Sequence, residues 1–153
     1  MKLSKNNLIV RVLRWAILQK GLQKVAVPVI HYGGWPLLLP YYAIGIKFLL
    51  LTTTGRKTGK PRMWPALYFR QGQDFIISAH QAGHDKHPMW YLNLKSNPKV
   101  NVEIFWWRRE YMAEEVQDED ARIALLSQFP YGLVDAYQDS TARKIPVIRL
   151  RPL

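Results

Sequence analysis

Residues 64–79, Trp-Pro-Ala-Leu-Tyr-Phe-Arg-Gln-Gly-Gln-Asp-Phe-Ile-Ile-Ser-Ala, decide how this chain folds. Two runs rich in aromatic and β-branched residues, Trp64 to Phe69 and Asp74 to Ala79, flank the polar, glycine-bearing segment Arg70-Gln71-Gly72-Gln73. That is the pattern of two strands joined by a tight turn. Upstream, Ile44 to Thr53 is an apolar run ending in a Gly- and Lys-rich segment, which predicts a strand entering a basic loop. Downstream, Val100 to Trp107 and Glu110 to Val116 predict a second hairpin, and Ile145 to Leu150, Pro146 excepted, a final strand. A helix is expected from Asp118, whose carboxylate can cap it, through Ala121 to Gln128, stopping before Pro130. Short strands paired by tight turns with few helices place the chain in a mainly β (α+β) class, an antiparallel barrel with helical additions.

The first 43 residues read differently. Asn7 to Lys20 predicts an amphipathic helix, with Asn7, Arg11 and Arg14 on one stripe and Ile9, Leu13, Ala16 and Ile17 opposite. Such a helix suits either an anionic membrane surface or a seat on its own domain. Pro28 to Tyr42 is expected to be irregular. Val25 to Ile46 carries no formal charge and approaches the length of a membrane span, but Pro28, Pro36, Pro40 and Gly33-Gly34 argue against one continuous helix. Arg11 and Arg14 interrupt the apolar stretch that a secretory signal would need, so export is not expected. The expected organisation is an appendage over 1–43, a basic helix plus an irregular apolar segment, and a cofactor-binding barrel over 44–153.

The 153 residues suffice for one domain, and 48% apolar content with six Trp and eight Tyr excludes disorder. With no Cys, disulfides, thiolate metal sites and thiol nucleophiles are excluded together, and the cytoplasm is the default compartment. The net charge of +11 is uneven: twelve Lys or Arg precede the first acidic residue, Asp74. Such a surface attracts anions of several kinds, including nucleic acid, anionic lipid and phosphorylated cofactors.

The segment Thr52-Thr53-Thr54-Gly55-Arg56-Lys57-Thr58-Gly59-Lys60-Pro61-Arg62 narrows that field. It is no P-loop, because only three residues separate its glycines and Pro61 stands where Ser or Thr is required. It does offer glycines that admit close backbone approach, hydroxyls, and four cations in seven residues, a chemistry suited to phosphate or polycarboxylate. The same composition also fits a solvated hairpin turn. The string LLLTTTGRKTGKPR, followed at Ser78 to Leu94 by SAHQAGHDKHPMWYLNL, resembles the deazaflavin-dependent nitroreductase family of split β-barrel oxidoreductases. Weaker likeness extends to Ala136-Tyr137-Gln138 and to Arg143-Lys144-Ile145-Pro146-Val147.

The resemblance implies coenzyme F420 as cofactor, its anionic tail held by Thr54, Arg56, Lys57, Thr58, Gly59 and Arg62, with Lys60 in reserve. It further implies that Ser78, His80, Trp90 and Asn93 support the deazaflavin ring and that Tyr137 borders the substrate, donating a hydrogen bond to its carbonyl oxygen. The chain departs from the family pattern at His80 and at Gln81-Ala82-Gly83. Ordinary structural duties remain open for each: core packing for Trp90 and Tyr137, and local backbone hydrogen bonding for Asn93. His80, His84 and His87 would share a helix face and could suggest zinc, but Gly83 and Pro88 oppose a helix, so a polar loop is expected and no metal.

A reduced deazaflavin donates hydride, so the implied acceptor is a small, planar, electron-poor molecule such as a quinone, an activated alkene or a nitro compound. Flavin mononucleotide is the alternative cofactor on the same fold. A non-enzymatic basic module binding membrane or nucleic acid is the alternative of another class, although nucleic acid is not expected as a partner. A homodimer would cover the edges of an open barrel, and the basic N-terminus would give peripheral contact with the cytoplasmic face of an anionic membrane.

Overall fold

The computed structural model describes Leu8, Arg11 and residues 20–153. The amphipathic helix expected over Asn7 to Lys20 therefore lies almost wholly outside the described residues. Among those described, six strands close a ring in the order β1-β2-β3-β6-β5-β4, every neighbouring pair antiparallel. The strands are β1 (Lys47–Thr54), β2 (Pro61–Gln71), β3 (Asp74–Ser78), β4 (Lys99–Ile104), β5 (Trp107–Glu115) and β6 (Val147–Pro152). The first expected hairpin is β2–β3, turning at Gly72 with φ +62°. Full closure leaves no open barrel edge, so a need to cover one gives no argument for a dimer.

β1 shows why its sequence is an unbroken apolar run. Leu49 and Leu51 point into the barrel among Tyr68, Phe75, Val102 and Leu150, while Leu50 points outward against Ile30 and Trp35. Both faces are covered, so polar alternation disappears. All three leucines are at most 1% exposed, each contributing about 1.5–3 kcal/mol by leaving water. The ring closes through only three pairs, Leu50 with Glu103, Leu51 with Val102 and Thr52 with Asn101.

The helices cover the outside and one mouth. Residues 20–43 are helical almost throughout: α1 (Lys20–Val29), a wide turn over Ile30–Gly34 in which Gly33 takes φ +127°, a short 3-10 turn over Trp35–Leu38 and α2 (Leu39–Ala43). This corrects the irregular segment expected from Pro28 to Tyr42. Pro36 and Pro40 fall in the first turns of their helices, where the missing N–H costs nothing. The segment is fastened to the barrel by Trp35 and Ile30 on Leu50, and by His31 Nδ1 at 2.9 Å from the buried Glu103 carboxylate. None of the helices among the described residues is long and apolar enough to cross a membrane.

α3 (Met89–Ser96) plugs the barrel with Trp90, Tyr91 and Leu94. α4 (Glu119–Leu126) begins where expected, Asp118 Oδ1 accepting from Ala121 N at 2.7 Å. With α5 (Leu133–Gln138) it forms a second core against Leu67, Ile76 and Val147. Several boundaries move: β1 begins at Lys47 and not at Ile44, and β2 at Pro61 and not at Trp64. The β4–β5 turn falls at Phe105 and Trp106, not at the arginines, with Ile104 paired to Trp107 and Phe105 at φ +56°. The final strand begins at Val147, because Ile145 is held by Arg122 and Gln138 before pairing starts.

Candidate active site

The basic segment is the turn joining β1 to β2. Gly55 N donates to Lys60 O and Gly59 N to Gly55 O, closing a tight loop in which Gly59 takes φ +66°. A Cβ at Gly55 would stand 3.0 Å from Thr58 Oγ1 and 3.1 Å from Lys60 O, so a larger residue would push these neighbours by a few tenths of an ångström. Arg56, Lys57, Thr58, Gly59, Lys60 and Arg62 are all exposed. None of these four cations forms an ion pair among the described residues. Thr54 ends β1 opposite Pro61, and Arg62 pairs with Thr53.

Asn93 ties this turn to the helix that plugs the barrel. It is 5% exposed, accepts from Arg56 N at 3.2 Å and donates to Thr53 Oγ1 at 3.2 Å. Three residues earlier on the same helix, Trp90 lines an apolar pocket of about 100 Å³. Strands β2 and β3 supply Trp64, Ala66 and Ser78, α5 supplies Leu133 and Tyr137, and the intervening loop supplies His80 and Gln81. Four expected site residues, Ser78, His80, Trp90 and Tyr137, thus meet at one cavity. The residues expected to hold the cofactor tail meet separately on the turn, with Asn93 as the link.

The pocket wall carries three distinct polar features. Ser78 is 4% exposed and its hydroxyl has no hydrogen-bond partner among the described residues, a buried group that a ligand would complete. The His80 ring lies parallel to that of Tyr137, centroids 4.9 Å apart at 19°, and its Nδ1 accepts from Ala82 N at 3.0 Å. Burial, reinforced by the nearby Arg143 charge, lowers the His80 pKa to about 4, so the ring is neutral at physiological pH. Tyr137 is wholly buried, its ring serving as the platform for His80.

Arg143 builds this wall from behind. Its guanidinium donates to the carbonyls of Ala79, His80 and His84 and lies 3.1 Å from His87 Nδ1, gathering residues 79–87 around one cation. Burial lowers its own pKa. Gln138 holds the Arg143 carbonyl and the Ile145 N–H, fixing the segment that presents the guanidinium. Gln81, Ala82 and Gly83 all take positive φ within the gathered loop. A Cβ on Gly83 would come within 2.7 Å of Tyr137 O, so this glycine lets the loop press against α5. The three histidines do not converge on a metal; among the described residues no group of three His, Asp or Glu is placed to hold one.

Arg143 stands in the sequence within the Arg-x-Ile-Pro-Val resemblance, yet its role was hidden, since its partners are main-chain oxygens some 60 positions away. Tyr41, Trp64, Gln81 and Leu133 also line the pocket without having been singled out as site residues. Trp64 was readable as an apolar strand position, but nothing local marks a pocket-facing side chain.

The residues present fit F420: a cationic turn with no ion pair among the described residues for an anionic tail, and an apolar cavity bordered by the Ser78 hydroxyl for a ring system. Comparison with known proteins agrees. The model for F420H(2)-dependent quinone reductases matches residues 40–152. An F420H(2)-dependent quinone reductase of Mycobacterium tuberculosis is 39% identical over 106 residues, covering 67% of this chain and 71% of the relative. A solved F420-H2 dependent reductase superposes with a TM-score of 0.60 at 33% identity, covering 68% of this chain and 93% of its own. A chain described as a domain-swapped dimer gives a TM-score of 0.61, also at 33% identity, covering 68% and 79%. A haem storage protein of Vibrio cholerae, at 16% identity and TM-score 0.53 with 75% and 87% covered, shares the fold alone. The expected split barrel, oxidoreductase activity and F420 cofactor hold together: this chain belongs to the F420H(2)-dependent quinone reductase family.

Proposed function

We propose that this chain carries hydride from reduced F420 to a quinone-type acceptor received in the pocket beneath α5. The observation that carries the proposal is the Asn93 bridge, which ties the cationic turn to the same helix that lines the apolar cavity. When bound, reduced F420 supplies the hydride, two electrons and one hydrogen at once. Arg56, Lys57 and Arg62 neutralise the tail, with Arg giving paired contacts to phosphate or carboxylate and Lys a point charge. Thr54, Thr58 and the Gly59 backbone complete that cradle. Ser78 and Trp90 border the ring, while Tyr137 and Leu133 close the acceptor side and exclude water. No general acid is required of the chain, because the acceptor's final proton can come from solvent.

The test is quenching of oxidised F420 fluorescence by the purified chain, with flavin mononucleotide as control and an Arg56→Ala, Lys57→Ala variant alongside. Tight F420 binding that the variant loses by about 100-fold or more supports the proposal, each cation being worth roughly 1.5–3 kcal/mol. Preference for the flavin, or indifference to the double substitution, refutes it.

We further propose a peripheral seat on an anionic membrane, where lipid-soluble quinones reside. Val25, Tyr32, Leu37, Leu39 and Ile44 are exposed apolar side chains on the N-terminal segment, and Trp106, 91% exposed, stands beside it through Phe105. Lys24, Lys47, Arg108 and Arg109 supply exposed cations. Sedimentation with phosphatidylglycerol vesicles at low salt, but not with phosphatidylcholine vesicles, is the expected result; equal recovery in both supernatants removes the idea.

A further inference from the structure

His80 is placed as no ordinary cap residue would need to be. Its Nδ1 accepts the Ala82 N–H, which fixes the ring proton on Nε2 whenever the imidazole is neutral. Nε2 makes no hydrogen bond among the described residues, and the side chain is only partly buried. The ring lies flat on Tyr137 and lines the cavity. Its carbonyl is held from the other side by Arg143. Backbone, ring and tautomer are therefore each set by a separate contact, and the ring group left over is the Nε2 donor of a residue that lines the cavity.

We propose that His80 Nε2–H is the fixed hydrogen-bond donor that receives a carbonyl oxygen of the planar acceptor, making His80 a specificity-determining residue of the pocket. The proposal rests on the hydride-transfer reading above and deepens it. When hydride adds to a quinone, two electrons enter the acceptor and negative charge gathers on its oxygen. A neutral imidazole N–H aimed at that oxygen stabilises the charge as it grows. The imidazole keeps its proton throughout, and solvent delivers the one that completes the hydroquinone. Protonating His80 would turn Nδ1 into a second donor facing the Ala82 N–H, so the geometry itself holds the ring in the neutral, donating form.

Two preferences follow. Acceptors with a ring carbonyl should be favoured over electron-poor acceptors that lack one. The contribution should not titrate across the neutral range, because the donor is the same species throughout it. Ser78, whose hydroxyl can rotate, supplies no such direction.

The experiment uses the full chain, 15N-labelled at histidine, with 2-methyl-1,4-naphthoquinone as the probe and no cofactor present. The expected result is a downfield shift of the His80 Nε2 proton while Nδ1 stays unprotonated. In parallel, F420H2-driven reduction of the same quinone is measured for the native chain, His80→Asn and His80→Phe. Asn can still accept from Ala82 N and Phe can still stack on Tyr137, but neither places a donor at the position of Nε2. Both should lose about 10- to 100-fold in kcat/KM for the quinone, the range expected from one unmade hydrogen bond, and more than they lose in F420 affinity. Native-like kcat/KM in His80→Asn, or an unmoved Nε2 proton on quinone binding, overturns the assignment and leaves the enzyme reading intact. A native chain that leaves F420H2 unoxidised with the quinone overturns both.

Discussion

Replacing Arg143 with Ala tests the account of the pocket wall most severely. The guanidinium serves three carbonyls and touches one imidazole, and the loop it gathers holds Gln81 and Ala82 at positive φ, a conformation that non-glycine residues adopt only under constraint. A hydrogen bond to a charged donor is worth about 1.5–3 kcal/mol net, and here the carbonyls share one cation, so their contributions overlap. Loss of the side chain should therefore cost about 3–5 kcal/mol, near the upper end for single substitutions. At roughly 2–4 °C per kcal/mol for a chain of this length, the melting temperature should fall by about 10 °C. Arg143→Lys keeps the charge but offers no planar fork, and should recover less than half of the loss. Circular dichroism measures the melting, and fluorescence quenching measures F420 affinity. Because the cationic turn is tied to α3 and not to this loop, F420-tail binding should weaken by less than quinone turnover does. A drop below about 1 kcal/mol for Arg143→Ala would refute the view that this cation organises residues 79–87.

The other expectations concern neighbouring features. The His80 pKa is lowered to about 4 from 6.5, so the unfolded chain binds its proton first as pH falls. Stability from this group is complete above about pH 6.5 and is lost progressively down to pH 4, up to about 3 kcal/mol in all, which urea midpoints at stepped pH should record and His80→Asn should abolish. Gly83→Ala must fit a methyl group 2.7 Å from a backbone oxygen at φ +72° and should cost about 2–4 kcal/mol while distorting the pocket; a native-like melting curve would contradict the close packing. Asn93→Ala removes the acceptor for Arg56 N and should weaken F420 binding about tenfold in the same quenching titration, with quinone binding by the free protein little changed.

How much of this was legible beforehand varies with the range of the interaction concerned. The β2–β3 hairpin, the Asp118 cap and the basic turn are written in a few adjacent residues, and each appears where local chemistry placed it. In the N-terminal segment the prolines suggest breaks, whereas Pro36 and Pro40 sit in first turns that tolerate them. The β4–β5 turn was misplaced because Trp106 and Trp107 look like strand residues; pairing of Ile104 with Trp107 overrode that preference and turned Trp106 out to 91% exposure. Arg143 could not be assigned at all, since backbone carbonyls carry no side-chain signature and the loop they belong to is remote in sequence.

β1 bears on any attempt to redirect the enzyme. Within six residues it packs Leu49 and Leu51 inward, seats the N-terminal segment on Leu50, forms the ring's narrow three-pair closure and launches the turn that would grip the cofactor. One substitution there would be read out in several places at once. Tyr41 and Leu133 line the same cavity from helical elements that take no part in strand pairing. A library meant to widen the range of acceptors should therefore randomise those two positions and leave the strand untouched.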